Sequence, residues 1–231
     1  MPASPIAARA RDVASPLHTA ALITLIVAVA VTGTIVSGAG APGTVAPASP
    51  IAAYVPLLVV QWGLVFYVCA LGGKGRSLSS LLGRRWRWGT WRRACGDLAL
   101  ALAVMALVEG IESAWVSATN ASRSASVATM IPATAWERAA WLFVSASVGF
   151  CEEVVYRGYL QTQLTAFTRR VSWGVCLQAL LFGIAHADQG IASAVRVAIY
   201  GAILGVVANA RRSLIPGIVA HTGIDLAAGF A

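Results

Sequence analysis

Long apolar runs separated by short polar or basic segments set the pattern of this chain. Apolar stretches fall at about Thr19 to Gly38, Ile51 to Leu71, Ala94 to Ala114, Trp136 to Ala166, Val171 to Ala187, Ile191 to Ala210 and Leu214 to Phe230. A helix needs about 20 apolar residues to cross ~30 Å of hydrocarbon, so each run predicts a membrane helix. The fourth exceeds the bilayer at 1.5 Å per residue and must tilt, break or protrude. Pro56 lies early in the second run, where a helix tolerates it. Ser213 is an N-cap candidate for the seventh helix, with Pro216 in its first turn. No internal repeat of fixed period is visible.

The spacers decide orientation. Between the second and third runs, residues 72–93 carry Lys74, Arg76, Arg84, Arg85, Arg87, Arg92 and Arg93, interleaved with Trp86, Trp88 and Trp91. Basic residues mixed with Trp can bind nucleic acid, but between two membrane spans they read as a cytoplasmic loop lying on anionic headgroups. With the N-terminus inside, the inner segments hold thirteen Lys or Arg and the outer ones only Arg123 and Arg138. The fold class is therefore all-α: a polytopic transmembrane bundle of about seven helices, N-in and C-out. Cytoplasmic tail 1–18 precedes helices one to three in 19–135, and a catalytic core of four helices fills 136–231. The expected location is a plasma (inner) membrane, with the lipid bilayer and a membrane-associated peptide as partners and no nucleic acid.

Composition agrees with this pattern. Of the 231 residues 58% are apolar and 11% charged, against roughly 25% charged in an ordinary soluble domain. A disordered tail and a soluble nucleic-acid binder are both excluded. The first run is too long for a signal-peptide core. Four cysteines without a CxxC pair read as small packing residues rather than disulfides or a zinc knuckle.

Ionisable residues at bilayer depth cost ~2.5–3.5 kcal/mol each even on lenient scales, so those that remain need partners or a task. They gather in the second half: Glu152, Glu153 and Arg157 on helix four, His186 at the end of helix five, His221 and Asp225 on helix seven. Glu153 and Arg157 are i,i+4 in the favourable order for an ion pair. Glu152 is rotated about 100° away, so both carboxylates cannot face that Arg equally. His221 and Asp225 share a helix face, as do Phe182 and His186. Glu109, Glu112 and Arg196 read as interfacial or structural.

The run from Glu152 to Arg157 reads EExxxR, Phe182 to His186 reads FxxxH, and His221 to Asp225 reads HxxxD. In this order and spacing they resemble the three motifs of the CPBP intramembrane proteases, which take in the type II CAAX prenyl endopeptidases and the bacterial bacteriocin-processing and immunity (Abi) proteins. The resemblance covers roughly residues 145–228. It implies peptide-bond hydrolysis by a glutamate-activated water, with Glu152 as general base, His186 holding the water, His221 and the residue four later stabilising the oxyanion, and Glu153, Arg157 and Phe182 in support. A carboxylate in an apolar cavity is a competent base near neutral pH.

Asp225 departs from the Asn that family members often carry, and an ionised Asp cannot donate to an oxyanion. It must be protonated, orient His221 or bind a metal. Glu152, His186, His221 and Asp225 would make an adequate zinc set, yet the resemblance favours a metal-free mechanism, so no obligatory cofactor is expected. The competing functions are a non-proteolytic immunity or scaffold protein of the same fold and a small proton-coupled transporter. The transporter lacks the inverted repeats and paired broken helices it would need. Helix ends pose a further difficulty. Counted from them, Glu152 lies ~6 Å from the inner face of the hydrocarbon while His186 lies ~21 Å in. The groups meet only if the ends are misplaced by a turn or two.

Overall fold

The computed structural model describes residues 14–38, 49–71, 78–83, 91–119 and 125–230, and every regular element among them is helical. The tail before residue 14, most of the Gly/Pro/Ala linker at 39–50 and most of the basic loop at 72–93 lie outside the described residues. Helix α1 spans Pro16–Gly38 and α2 spans Ile51–Phe66, extended by a π-helical turn at Tyr67–Leu71. The short α3 (Leu78–Leu82), the long α4 (Trp91–Thr119) and the single turn α5 (Ala125–Ala128) lead to α6 (Ala135–Glu152). A π-helical segment, Glu153–Leu160, joins α6 to α7 (Gln161–Thr168), and α8 (Val171–Ile184), α9 (Ile191–Arg211) and α10 (Ile215–Ala228) complete the chain.

Among the described residues five helices are long and apolar enough to cross a membrane: Pro16–Val36, Ile51–Ala70, Trp91–Thr119, Ala135–Thr168 and Ile191–Arg211. The apolar α8 and α10 have 14 residues each, ~21 Å of helix against ~30 Å of hydrocarbon. Leu17, Ile35, Val59, Phe66, Leu107 and Val206 are exposed on the outside of the bundle. In water such a surface would drive aggregation; facing acyl chains it costs nothing. The chain is a multi-pass helical membrane protein.

The element from Ala135 to Thr168 is the axis of the bundle, with 61% of its apolar window buried against 22% for α1, α2 and α4. Its start is fixed by a capping box: Glu137 N donates to Thr134 Oγ1 at 3.2 Å and Thr134 N donates to Glu137 Oε2 at 2.9 Å, satisfying two orphan amides at once. Ser49 Oγ adds a bond to Glu137 Oε1 at 2.8 Å, tying the entry of α2 to this end. Around the axis α2 packs on α6, α10 on α6 and α4, and α8 on α7 and α9.

Buried amides fasten the helices where glycines admit close approach. Gln178, fully buried on α8, donates from Nε2 to Gly201 O at 2.8 Å, and Gln161 Nε2 donates to Gly205 O at 2.9 Å. A Cβ at Gly205 would stand 2.6 Å from Gln178 Nε2. Small residues let helix backbones meet inside a membrane, and interhelical hydrogen bonds then hold them.

Several sequence-based expectations shift. The third helix runs from Trp91 to Thr119, longer at both ends than its apolar run. The fifth stops at Ile184, leaving His186 beyond its end and ahead of a 3₁₀ turn at Ala187–Gln189. Ser213 is not the N-cap of α10, which is Leu214, although its Oγ accepts from Ile215 N at 3.3 Å. Glu112 and Arg196 are structural partners: Arg196 bonds Glu112, and Tyr200 OH donates to Glu112 Oε2 at 2.6 Å.

Candidate active site

The π-helical segment begins at the second glutamate of the pair. Long π segments are rare and occur mostly at functional sites, because the i→i+5 register displaces side chains from their α-helical azimuths. Here it carries Glu153, Tyr156 and Arg157, all buried. Across from it α10 runs antiparallel and close. A Cβ at Gly149 would lie 2.6 Å from Thr222 Oγ1, and one at Gly217 would lie 2.7 Å from Glu153 Oε2. Glycine at 217 therefore makes room for a buried carboxylate.

His221 is the centre. Its Nδ1 lies 3.1 Å from Glu153 Oε1, its Nε2 lies 3.4 Å from Glu152 Oε2, and the same Nε2 lies 3.9 Å from Asp225 Oδ2. Glu153 Oε1 also pairs with Arg157 Nη1 at 2.9 Å, both side chains being fully buried. Glu153 thus bridges Arg157 and His221, a second task beyond the ion pair that spacing foresees. The Arg157 guanidinium lies over the Phe182 ring, its Cζ 4.2 Å from the centroid. That cation–π contact stabilises a desolvated cation whose Nε and Nη2 find no acceptor among the described residues. Phe182 is further enclosed by Tyr156, His186 and His221, with ring centroids at 4.9, 4.8 and 5.7 Å.

His186 stands apart from Glu152, with no hydrogen bond or ion pair between them among the described residues. Its Nδ1 lies 2.8 Å from Phe182 O. A carbonyl only accepts, so Nδ1 carries a proton, and in that tautomer the lone pair lies on Nε2. Asp225 is within electrostatic reach of both His186 and His221. Its side chain, at 27% exposed, is the most open member of the three-carboxylate set, against 7% for Glu152 and 0% for Glu153. The site opens on the Asp225 side.

Glu152 has one further partner that the motifs do not contain. Gln61, buried on α2, donates from Nε2 to Glu152 Oε1 at 2.6 Å. Glu152 Oε2 has no hydrogen-bond partner among the described residues. A lone Gln in the middle of an apolar span was the available signal, since polar groups at that depth are expensive. Tyr156 is likewise outside the motif positions. Among the described residues no three His, Cys, Asp or Glu side chains converge as metal ligands.

Residues 134–227 match the family model of type II CAAX prenyl endopeptidase Rce1-like proteins. Over this segment the chain is similar to that family, in line with the resemblance of the three motifs to the CPBP proteases. The match covers about two fifths of the chain and takes in Glu152, Glu153, Arg157, Phe182, His186, His221 and Asp225, but not Gln61. At family level it supports a CAAX-type intramembrane protease. No curated protein and no solved structure matches the chain.

Proposed function

We propose that this chain is an intramembrane endopeptidase that hydrolyses membrane-associated peptides with a water activated by Glu152. The observation that carries the reading is the state of Glu152. It is a buried carboxylate with one oxygen anchored and the other, without a hydrogen bond among the described residues, facing the His221 ring.

Glu152 Oε2 takes a proton from water, and the hydroxide oxygen bonds to the carbonyl carbon of the substrate as the C=O π pair moves onto oxygen. The lone pair on His186 Nε2 accepts from the same water and aims it. With Nδ1–H donating to Glu153, His221 acts as the imidazolium and presents Nε2–H between Glu152 and Asp225, where it donates to the developing oxyanion. Collapse breaks the C–N bond, and the proton on Glu152 passes to the departing nitrogen. The products are a carboxylic acid and an amine, which become a carboxylate and an ammonium when the acid proton moves to the nitrogen, and Glu152 is regenerated as the carboxylate. Glu153 and Arg157 hold His221 in the required orientation, the part that outer partners play for catalytic imidazoles. No step requires a metal. Substrate reaches the site from the more open side, past Asp225 and His186, and the setting is a plasma membrane.

The test uses full-length protein in lipid nanodiscs with two quenched fluorogenic peptides. One carries a prenylated cysteine three residues from its C-terminus, and the other is an unprenylated apolar transmembrane peptide. Cleavage of either by wild type and of neither by Glu152→Gln is expected, and the peptide cleaved names the substrate class. Equal cleavage by Glu152→Gln overturns the assignment.

A further inference from the structure

The match to known proteases begins at residue 134, yet the shortest hydrogen bond to Glu152 comes from α2, 91 residues earlier. We infer that Gln61 is a positioning residue for the general base: its amide holds Glu152 Oε1 so that Oε2 is presented to the water. The inference rests on the proposed role of Glu152 and extends the site to a helix outside the family segment.

Geometry argues for this in three steps. A carboxylate at the end of a Glu side chain is broadly free about its last torsion, so a base with both oxygens unanchored would spend most of its time misaimed. One strong donor removes that freedom. Gln61 Nε2 at 2.6 Å does so from the side opposite His221, which approaches Oε2. The second step is economy: Gln61 is itself buried in an apolar helix, a costly location unless its amide is used. The third is packing. On the same helix Trp62 stacks with Phe150, ring centroids 5.7 Å apart, and Tyr54 meets Trp141 at 5.7 Å. Helix α2 is therefore registered against α6 over the turns that lead to the bond, and the amide is delivered by a fixed scaffold. Positioning errors of about 1 Å in a reacting group typically cost on the order of 10²-fold in rate.

Gln61→Met keeps the length of the side chain and removes the donor. In nanodiscs, with whichever fluorogenic peptide wild type cleaves, it is expected to lower kcat by about 10- to 100-fold while KM and the thermal midpoint stay near wild type. Combined with Glu152→Asp, whose shortened carboxylate is out of reach, Gln61→Met should add no further loss. A kcat within about twofold of wild type, or full additivity with Glu152→Asp, overturns the inference. A merely structural Gln would move the thermal midpoint and leave kcat per folded molecule unchanged. Gln61→Ala is the second variant should Gln61→Met fail to fold. A readout independent of turnover is the infrared carboxyl band of Glu152, assigned by difference against Glu152→Gln. It should shift in Gln61→Met, and an unmoved band overturns the inference. Activity retained by Glu152→Gln would instead defeat the catalytic reading and leave the infrared result to decide the hydrogen bond by itself.

Discussion

Glu152 and Glu153 are consecutive in the chain yet approach opposite nitrogens of one imidazole, Oε2 of Glu152 facing His221 Nε2 at 3.4 Å and Oε1 of Glu153 facing Nδ1 at 3.1 Å. Only Glu153 is neutralised by Arg157. The pair therefore divides into one carboxylate held in an ion pair and one without a cation, the division on which the proposed role of Glu152 rests.

From this division follows a contrast between mutants. Glu152→Gln is isosteric and should abolish peptide cleavage while keeping yield and thermal midpoint near wild type. Arg157→Ala leaves Glu153 buried without its cation, and Glu153→Ala does the converse. Each should destabilise by ~3–5 kcal/mol, the usual result of removing one partner of a buried pair. Cleavage assays and thermal unfolding of the detergent-solubilised proteins check both halves. Equal yield and activity across the three would defeat the division.

His186 tests the water-holding step. With its proton fixed on Nδ1 by Phe182 O, the ring contributes a lone pair that alanine lacks. His186→Ala should reduce kcat by ~10²–10⁴-fold, the range of a positioned proton-transfer group, with little loss of folded protein because the residue lies beyond the end of α8. A loss confined to KM would place His186 in substrate binding instead.

Much of this arrangement is readable in the sequence, for identifiable reasons. Helices such as Pro16–Gly38 and Ile191–Arg211 declare themselves because lipid demands an unbroken apolar run. The three motifs gather because ionisable groups at that depth need one another. The π segment at Glu153–Leu160 leaves no such trace, since a change of hydrogen-bond register alters no pattern of polarity. Without it, and with helix ends off by a few residues, the depths of Glu152 and His186 could not be matched. The bridging position of Glu153 and the reach of Gln61 are products of helix packing, which spacing within one helix cannot report.

Orientation is tested by reporters. Thirteen basic residues on one side against two on the other predict a cytoplasmic reporter after Arg170 and an external one at Ser122. A phosphatase active only outside the membrane and a fluorescent protein active only inside should give opposite signals at each site. Identical signals at both positions would overturn the N-in arrangement.

Asp225 is the departure from the family's Asn. Its Oδ2 stands 3.9 Å from His221 Nε2, beyond hydrogen-bond distance, and the side chain is partly exposed. An ordinary orienting role needs only a polar group of that size. Asp225→Asn should then keep activity within about tenfold of wild type, because the amide fills the same volume and can donate. A collapse of activity accompanied by loss of bound zinc, measured on the purified protein, would mean that the carboxylate binds a metal.

Gly217 offers the most local test of the site's construction. A Cβ there would lie 2.7 Å from Glu153 Oε2, closer than side chains normally approach, and Glu153 is fully buried. Overpacking of this kind typically costs ~1–3 kcal/mol. The carboxylate must yield, and it is held at its other oxygen by both Arg157 and His221. Gly217→Ala should therefore lower kcat as His221 turns, in addition to reducing the thermal midpoint. Gly63→Ala, whose Cβ would meet nothing within 4 Å, is the matched control and should leave both unchanged. If Gly217→Ala is as active and as stable as Gly63→Ala, then Glu153 is not fixed between Arg157 and His221, and the orientation of the imidazole has another source.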